Sequence, residues 1–336
     1  LQRFYAKYLE MRPTIITGWN VDGFDIPYLY NRAQQIVGKN IADCLSPVSK
    51  VYWNKYREKY MIAGVSCLDY LMLYKNFTFS SKPSYRLDDI GQSEVGTSKI
   101  SYDGTLNDLY ENHLEDFVKY NIHDVRIVKK LDDKLDFIDV ARGICHVGHV
   151  PYEDIVYDSR FLEGAILVYL KKLGVVAPNK TPRDDVKKDG KFAGAYVQDP
   201  QKGRHDWVYD LDITSMYPSI IMSLNVSPET KIGKVIGWDP EEFIRGKNKT
   251  YSIYMNDKKK GQFTEIELKE YFDNNQVSIS NNGIIYRTDK LGLIPTLLSE
   301  WFDKRTEYRK LAKKFSDEGD EDQAGYFNRR QHIQKI

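Results

Sequence analysis

The sequence predicts two linked modules, the first α/β and the second α+β. Three observations carry this expectation. Strand-like runs alternate with amphipathic helical stretches over residues 1–136, the pattern of an α/β unit. A Pro-, Gly- and charge-rich stretch, Asn179 to Gly190, then marks a boundary or mobile loop. Beyond it lie short β-type runs, and residues 291–336 read as two helices. At 336 residues the chain is long enough for two domains, and 41% hydrophobic content makes it globular rather than disordered.

The elements follow in order. Residues 1–40 read as helix, strand, turn, helix. Thr14-Ile-Ile-Thr17 is β-branched and strand-like, and Gly18 to Gly23 is turn-rich. Pro27 opens an amphipathic helix, Tyr28 to Val37, which Gly38 ends. Residues 64–74 give a strand or short helix around Asp69, Ser80 to Ser84 a polar loop, and Tyr85 to Ile90 a helix start. From Leu114 to Asp139, Phe117, Ile122, Val125, Val128, Leu131 and Leu135 recur at helical steps. Residues 140–183 look like a helical connector, chiefly Glu153 to Leu173. β-type runs follow at Gly194–Val197, Val208–Tyr209 and Gly283–Tyr286. The final helices run from Pro295 to about Phe315 and from about Asp322, joined by a turn at Asp317–Asp320.

Composition narrows the function. No run approaches the ~18 apolar residues a membrane helix needs, and no signal-peptide pattern opens the chain. Cys44, Cys67 and Cys145 have neither paired nor metal-type spacing and fit a reducing, cytosolic setting. A net charge of +1 gives nucleic-acid binding only a weak vote, although Arg305 to Lys314 is locally basic and Arg329, Arg330 and Lys335 add a second group. The opening at Leu1 and the close at Lys335-Ile336 create the expectation of a piece of a longer chain.

Two constellations carry chemistry. Gly18-Trp-Asn-Val-Asp-Gly-Phe-Asp-Ile-Pro-Tyr28 holds Asp22 and Asp25, and Tyr120-Asn-Ile-His-Asp124 sets a Tyr and an Asp one helical turn apart. Metal-assisted phosphodiester hydrolysis needs converging carboxylates, and a Tyr beside an Asp can orient the attacking water. Taken singly, such an Asp is more often a turn or cap residue. In the second constellation the apolar run Trp207-Val-Tyr-Asp-Leu211 reads as a strand ending at Asp212. It turns through Ser215-Met-Tyr-Pro218 into a helix-like stretch, Ile220 to Leu224. A carboxylate at a strand end before a helix start can hold a divalent ion beside a phosphate.

The string Asp212-Ile-Thr-Ser-Met-Tyr-Pro-Ser-Ile-Ile221 resembles the first catalytic motif of family B DNA polymerases. The segments around Asp25 and Tyr120–Asp124 resemble the second and third exonuclease motifs of the same family. The resemblance implies an RNase H-like 3′–5′ exonuclease domain over 1–136, a helical connector over 137–183, a first palm segment over 184–290, and fingers over 291–336. It makes Asp25 and Asp124 metal-coordinating, Tyr120 water-orienting, and Asp212 catalytic and metal-coordinating with the carbonyl of Ile213. Backbone N–H groups of Ser215 and Met216 would face the triphosphate, an arrangement like an anion nest. Tyr217 would lie under the sugar and exclude a 2′-hydroxyl; by itself it reads as a core aromatic. Met216 replaces the family's usual Leu at similar volume, with little change expected. Asp210 lies outside the matched string and receives no role, Asp22 stays a turn residue, and Asp69 is structural.

Arg305 and Arg309, one turn apart, read alone as a solvated basic face. They also resemble the triphosphate-gripping cations of the first fingers helix in T-even phage-type polymerases, with Lys335 as the third. Gly194-Ala-Tyr196 resembles the element that contacts the template between the two halves of such enzymes. Asn225-Val-Ser-Pro-Glu-Thr230 points to a phage replicase, and the fingers are short for that group. The implied cofactor is Mg²⁺, two ions per site, with Mn²⁺ as substitute. The implied partners are primer-template DNA, dNTPs, a single-stranded 3′ end and a sliding clamp met through a missing C-terminal region, without a membrane, in the cytoplasm of an infected bacterium. The first exonuclease motif, the second polymerase carboxylate motif and the thumb are not found. A catalytically incomplete DNA-binding fragment, or one chain of a split polymerase, therefore stands as the alternative.

Overall fold

The computed structural model describes residues 1–78, 81–102, 104–179, 196–213, 215–246, 249–256 and 258–334. The predicted loop from residue 180 to Gly190, together with Ser80, Gly194, Ala195 and Lys335, lies outside the described residues. The chain divides into two compact units, one formed by residues 1–168 and 308–336 and the other by residues 169–307.

In the first unit, helix α1 (Gln2–Met11) leads into strand β1 (Ile15–Gly18). A single π-helical turn over Val21–Asp25 then opens α2 (Ile26–Ile36), whose Pro27 sits in the first turn, where its missing N–H costs nothing. Short α3 (Lys39–Ala42) precedes a hairpin of β2 (Val51–Asn54) and β3 (Lys59–Ile62). Strand β4 (Ser66–Asp69) returns parallel to β1, with Gly18 opposite Asp69. Tyr5, Val21, Ile26, Tyr30, Leu45, Ile62 and Val65 form the core between these elements. The crossover between parallel strands makes this an α/β arrangement, as expected.

Helices α4 (Tyr70–Phe77), α5 (Leu87–Val95) and α6 (Leu106–Asn112) lead to α7 (Leu114–Leu135), which buries Ile127, Val128 and Leu131. Burial of each such side chain stabilises by about 1.5–3 kcal/mol. The 114–139 helix predicted from periodicity breaks at Asp136, which is left-handed at φ 54°, and α8 (Phe137–Gly148) continues from it. A Cβ on Gly91 would stand 2.8 Å from a methyl of Ile127 and 2.6 Å from the carbonyl oxygen of Thr97, so this glycine sets how closely α5 and α7 approach. Helix α9 (Asp158–Lys172) falls within the stretch read as a helical connector.

Glu94 on α5 accepts from the Tyr74 hydroxyl at 2.7 Å and from Lys82 at 3.0 Å. The Tyr74 hydroxyl, against a smaller opposing effect of burial, and then Lys82 and Lys134 hold its carboxyl below the usual range. Its contribution to stability is therefore complete above the unfolded-state value and is lost as pH falls through the depressed folded value. Glu94→Gln should lower the melting temperature at pH 7, and the gap from wild type should close as pH drops below about 4. A gap that stays constant across that window would contradict this account.

The second unit centres on helix α10 (Met216–Leu224), strand β5 (Lys231–Ile236), short α11 (Pro240–Ile244), strands β6 (Thr250–Met255) and β7 (Lys258–Thr264), helix α12 (Glu265–Asn274), and strands β8 (Val277–Ile279) and β9 (Ile284–Arg287). The strands form one antiparallel sheet, ordered β7-β6-β5-β9-β8. Its inner face joins Val235, Tyr251, Ile253 and Ile285 to Leu268 of α12. Of the predicted β-type runs, Gly283–Tyr286 becomes a strand and Val208–Tyr209 does not, while Gly194–Val197 lies partly outside the described residues.

The strand expected at Trp207–Leu211 does not form. The segment is irregular, with Leu211 93% exposed. A strand gains little without a ladder partner, and no described strand pairs with it. Helices α13 (Leu293–Asp317) and α14 (Glu321–Ile333) match the two predicted C-terminal helices; each of α9 and α13 begins in one unit and ends in the other. Ile333 of α14 packs against Gly143 of α8, and Arg329 pairs with Asp136 at 2.8 Å.

Candidate active site

The turn after β1 carries the first carboxylate cluster, and Asp69 holds that turn in place. One Asp69 oxygen accepts the N–H of Leu71, capping α4, and the N–H of Asn20, each at 3.0 Å. The other accepts the N–H of Asp22 at 3.2 Å. Burial raises the Asp69 carboxyl and these donors oppose the rise. Asp69→Ala would strand three backbone donors, at a cost of about 3 kcal/mol, and should appear as a lower urea midpoint at unchanged slope. An unchanged midpoint would remove Asp69 from this role. Asp22 is more than a turn residue, because its side chain pairs with Lys59 of β3 at 2.5 Å.

Asp25, Tyr120 and Asp124 line one cavity of about 1260 Å³, with Trp19, Phe24 and Phe117 among its walls. The structure thus brings together residues that lie about a hundred positions apart in sequence. Burial pushes the Asp25 carboxyl up from its ordinary value. Asp124 has one oxygen 2.7 Å from Lys99, while its other oxygen is buried without a hydrogen-bond partner. The same Lys99 ammonium donates to the Tyr120 hydroxyl at 3.0 Å. Burial alone would lower the Lys99 pKa, but Asp124 and Tyr120 outweigh it and the net shift is upward. Lys99 is fixed from behind, since its backbone N–H donates to Asp88 at 2.6 Å and a His123 ring nitrogen meets the Ser98 carbonyl at 2.9 Å. Sequence reasoning missed Lys99. It sits in a loop with no periodic signal, and only tertiary approach reveals it.

Two carboxylates in one cleft, one with an orphaned buried oxygen, offer the hard oxygen donors that a divalent cation takes. Among the described residues no group of three or more His, Cys, Asp or Glu is placed to hold a metal.

The second cluster surrounds α10. Asp212 is exposed and, among the described residues, makes no hydrogen bond or ion pair. Ser215 caps α10 in the left-handed region at φ 51°, and its carbonyl accepts the Ser219 N–H at 3.0 Å. Met216 and Tyr217 open the helix, with Tyr217 67% exposed rather than a core aromatic. The helix ends at Asn225, also left-handed, which is 4% exposed and whose side chain gathers three partners. Its amide donates to the carbonyls of Arg287 at 2.6 Å and Lys290 at 2.9 Å, and its oxygen accepts the Gly292 N–H at 2.8 Å. Glu229 accepts the Leu293 N–H at 2.5 Å. The segment Asn225–Thr230 thus joins the end of α10 to the start of α13. Arg305, half-buried, and Arg309, exposed, follow one turn apart on α13. Tyr196 is exposed and outside any element.

Residues 157–336 match the family model for DNA polymerase family B, and residues 1–90 match that for its exonuclease domain. This chain belongs to DNA polymerase family B. It is 33% identical over 324 residues to the DNA-directed DNA polymerase of Enterobacteria phage T4, covering 95% of this chain and 33% of that protein. Against the polymerase of Escherichia phage RB69 it is 32% identical over 316 residues, covering 92% of this chain and 32% of the relative. A DNA polymerase of Thermococcus hydrothermalis matches at 25% over 320 residues, 93% of this chain and 17% of the relative. The chain thus spans about a third of the length of the two phage relatives. The likeness to T-even-type phage polymerases read from the motifs is borne out, as is the mixed α/β character of the exonuclease and polymerase portions.

Proposed function

We propose that the chain is part of a template-directed DNA polymerase with a 3′–5′ proofreading exonuclease, acting in phage DNA replication. The observation that supports this most is the convergence of Asp25, Asp124 and Tyr120 in one cleft, with Lys99 joining the last two. In this reading 1–136 is the RNase H-like exonuclease domain, 137–183 a connector, 184–290 the first palm segment and 291–336 the fingers.

In the exonuclease cleft Asp25 and Asp124 would hold the metal, and Tyr120 would orient the water that attacks the terminal phosphodiester. Lys99 would keep Tyr120 and Asp124 in mutual register. A frayed single-stranded 3′ end would pack on exposed Phe24, whose ring stacks with that of Tyr28. At the other site Asp212 and the Ile213 carbonyl would hold the metal, while Ser215 and Met216 amides and the cations Arg305, Arg309 and Lys335 would grip the triphosphate. Tyr217 would exclude ribose, and Gly194, Ala195 and Tyr196 would contact the template. Two Mg²⁺ ions per site, or Mn²⁺ in their place, would stabilise charge on the phosphate oxygens. The substrates are primer-template DNA and dNTPs, the expected setting is the host cytoplasm, and a sliding clamp is the expected partner. No helix among the described residues is long and apolar enough to cross a membrane.

One observation favours the second reading, a catalytically incomplete fragment or one half of a split enzyme: among the described residues no group of three or more His, Cys, Asp or Glu is placed to hold a metal. A labelled primer-template with dNTPs and Mg²⁺ tests both. Extension and shortening by the full-length parent, with neither by residues 1–336 alone, is the expected result. Measurable extension by residues 1–336 alone would sink the incomplete-fragment reading, and an inert parent would sink the polymerase reading.

A further inference from the structure

The sheet of the second unit has one face covered by α12, and its other face carries exposed lysines on β5 and β7. Val235, Tyr251, Ile253 and Ile285 point inward against α12, so their neighbours along each strand point outward. The register places Lys234 of β5 opposite Tyr254 of β6, and Tyr254 opposite Lys259 of β7. Adjacent strands are about 4.8 Å apart, so the two lysines flank the tyrosine across roughly 10 Å. Lys231 pairs with Tyr286 on the same face. Ile236, Ser252, Gln262 and Ile284 lie on the same face, as does Ser278 opposite Tyr286, and no paired position there carries a carboxylate. Lys231, Lys234 and Lys259 are exposed and make no ion pair or hydrogen bond among the described residues.

We propose that this lysine-bearing face binds single-stranded DNA, with the lysines on successive phosphates and Tyr254 stacking on a base. Uncompensated lysines on one sheet face repel one another, and a polyanion relieves that repulsion. The aromatic ring chooses the strand state. Bases of a single strand can lie on a ring, whereas paired and stacked bases cannot. The Ser278 hydroxyl of β8 donates to the Leu224 carbonyl at 2.5 Å, so the face belongs to the same packed unit as the helix following Asp212. The inference rests on the polymerase reading and adds a template-tracking surface to it.

The test uses the 336-residue chain and a fluorescein-labelled oligodeoxythymidylate, with binding followed by anisotropy from low to moderate salt. Each lost phosphate contact on a single strand reduces the slope of log K against log salt by about 0.7. Lys234→Gln/Lys259→Gln should therefore flatten the slope by about 1.4 and weaken binding roughly tenfold near 0.1 M salt. Tyr254→Ala should weaken binding roughly five- to a hundredfold with the slope preserved. Lys269→Gln, on the covering helix, should match wild type. Wild-type slope and affinity in the double lysine variant would overturn the proposal while leaving the polymerase reading intact. Weakening for a duplex alone would also overturn it. A wild-type 336-residue chain that binds no oligodeoxythymidylate would also overturn it, whereas the polymerase reading falls only with an inert full-length parent.

Discussion

Asp25→Asn/Asp124→Asn in the full-length parent should abolish shortening of a single-stranded 3′ end while primer extension continues. Losing carboxylates that hold a catalytic metal removes several kcal/mol of transition-state stabilisation, a rate loss on the order of 10³-fold or more. The isosteric change matters here. Asp124 pairs with Lys99 in a partly buried setting, and Ala would leave the ammonium with only the Tyr120 hydroxyl. Asn keeps an acceptor for Lys99, so a gentle fall in melting temperature should accompany a steep fall in rate. The readout is the length distribution of a 5′-labelled oligonucleotide with time. Wild-type shortening by the double variant would remove both residues from the exonuclease.

The second large effect concerns Asp212. Asp212→Ala should lower primer extension by the parent on the order of 10³-fold, with exonuclease activity retained. In the 336-residue chain it should leave stability within about 0.5 kcal/mol, because the side chain is exposed and partnerless among the described residues. The contrast is diagnostic. A residue whose removal costs activity and no stability is held in place for chemistry. Extension at the wild-type rate would end the assignment, and a large loss of stability would show that Asp212 has a folding role.

Much of this molecule can be read from its residues, for identifiable reasons. Helix α7 was legible because its apolar side chains repeat at helical steps. Helix α2 was legible because proline opens it and Gly38 follows it. The C-terminal pair was legible because an acidic Gly-containing turn separates two long helical patterns. Asp25, Tyr120 and Asp124 were legible as motif positions, and the fold then brings them to one cleft.

The sheet of the second unit was harder to see. Lys231-Ile-Gly-Lys-Val-Ile236 alternates imperfectly around a bulge, and Lys258-Lys-Lys260 reads as a charge run. These segments become strands through cross-strand pairing and burial under α12, which no local window contains. The opposite error occurred at Trp207–Leu211, where an apolar run resembled a strand but no described strand pairs with it. Lys99 escaped for a related reason, since its position is set by Asp88 and His123 from other elements.

The side chain of Asn225 has a mechanical consequence. Through it, and through Glu229, the last turn of α10 is pinned to the first residues of α13. Arg305 lies twelve positions beyond Leu293, about 18 Å along the helix axis at 1.5 Å per residue. Helix α13 is therefore a lever with its fulcrum at one buried amide. A tilt of about 10° there would carry Arg305 roughly 3 Å, the full length of a hydrogen bond. In the proposed role of Arg305, the accuracy with which its guanidinium would meet a phosphate is set by the fit of a single uncharged side chain at the root of the helix.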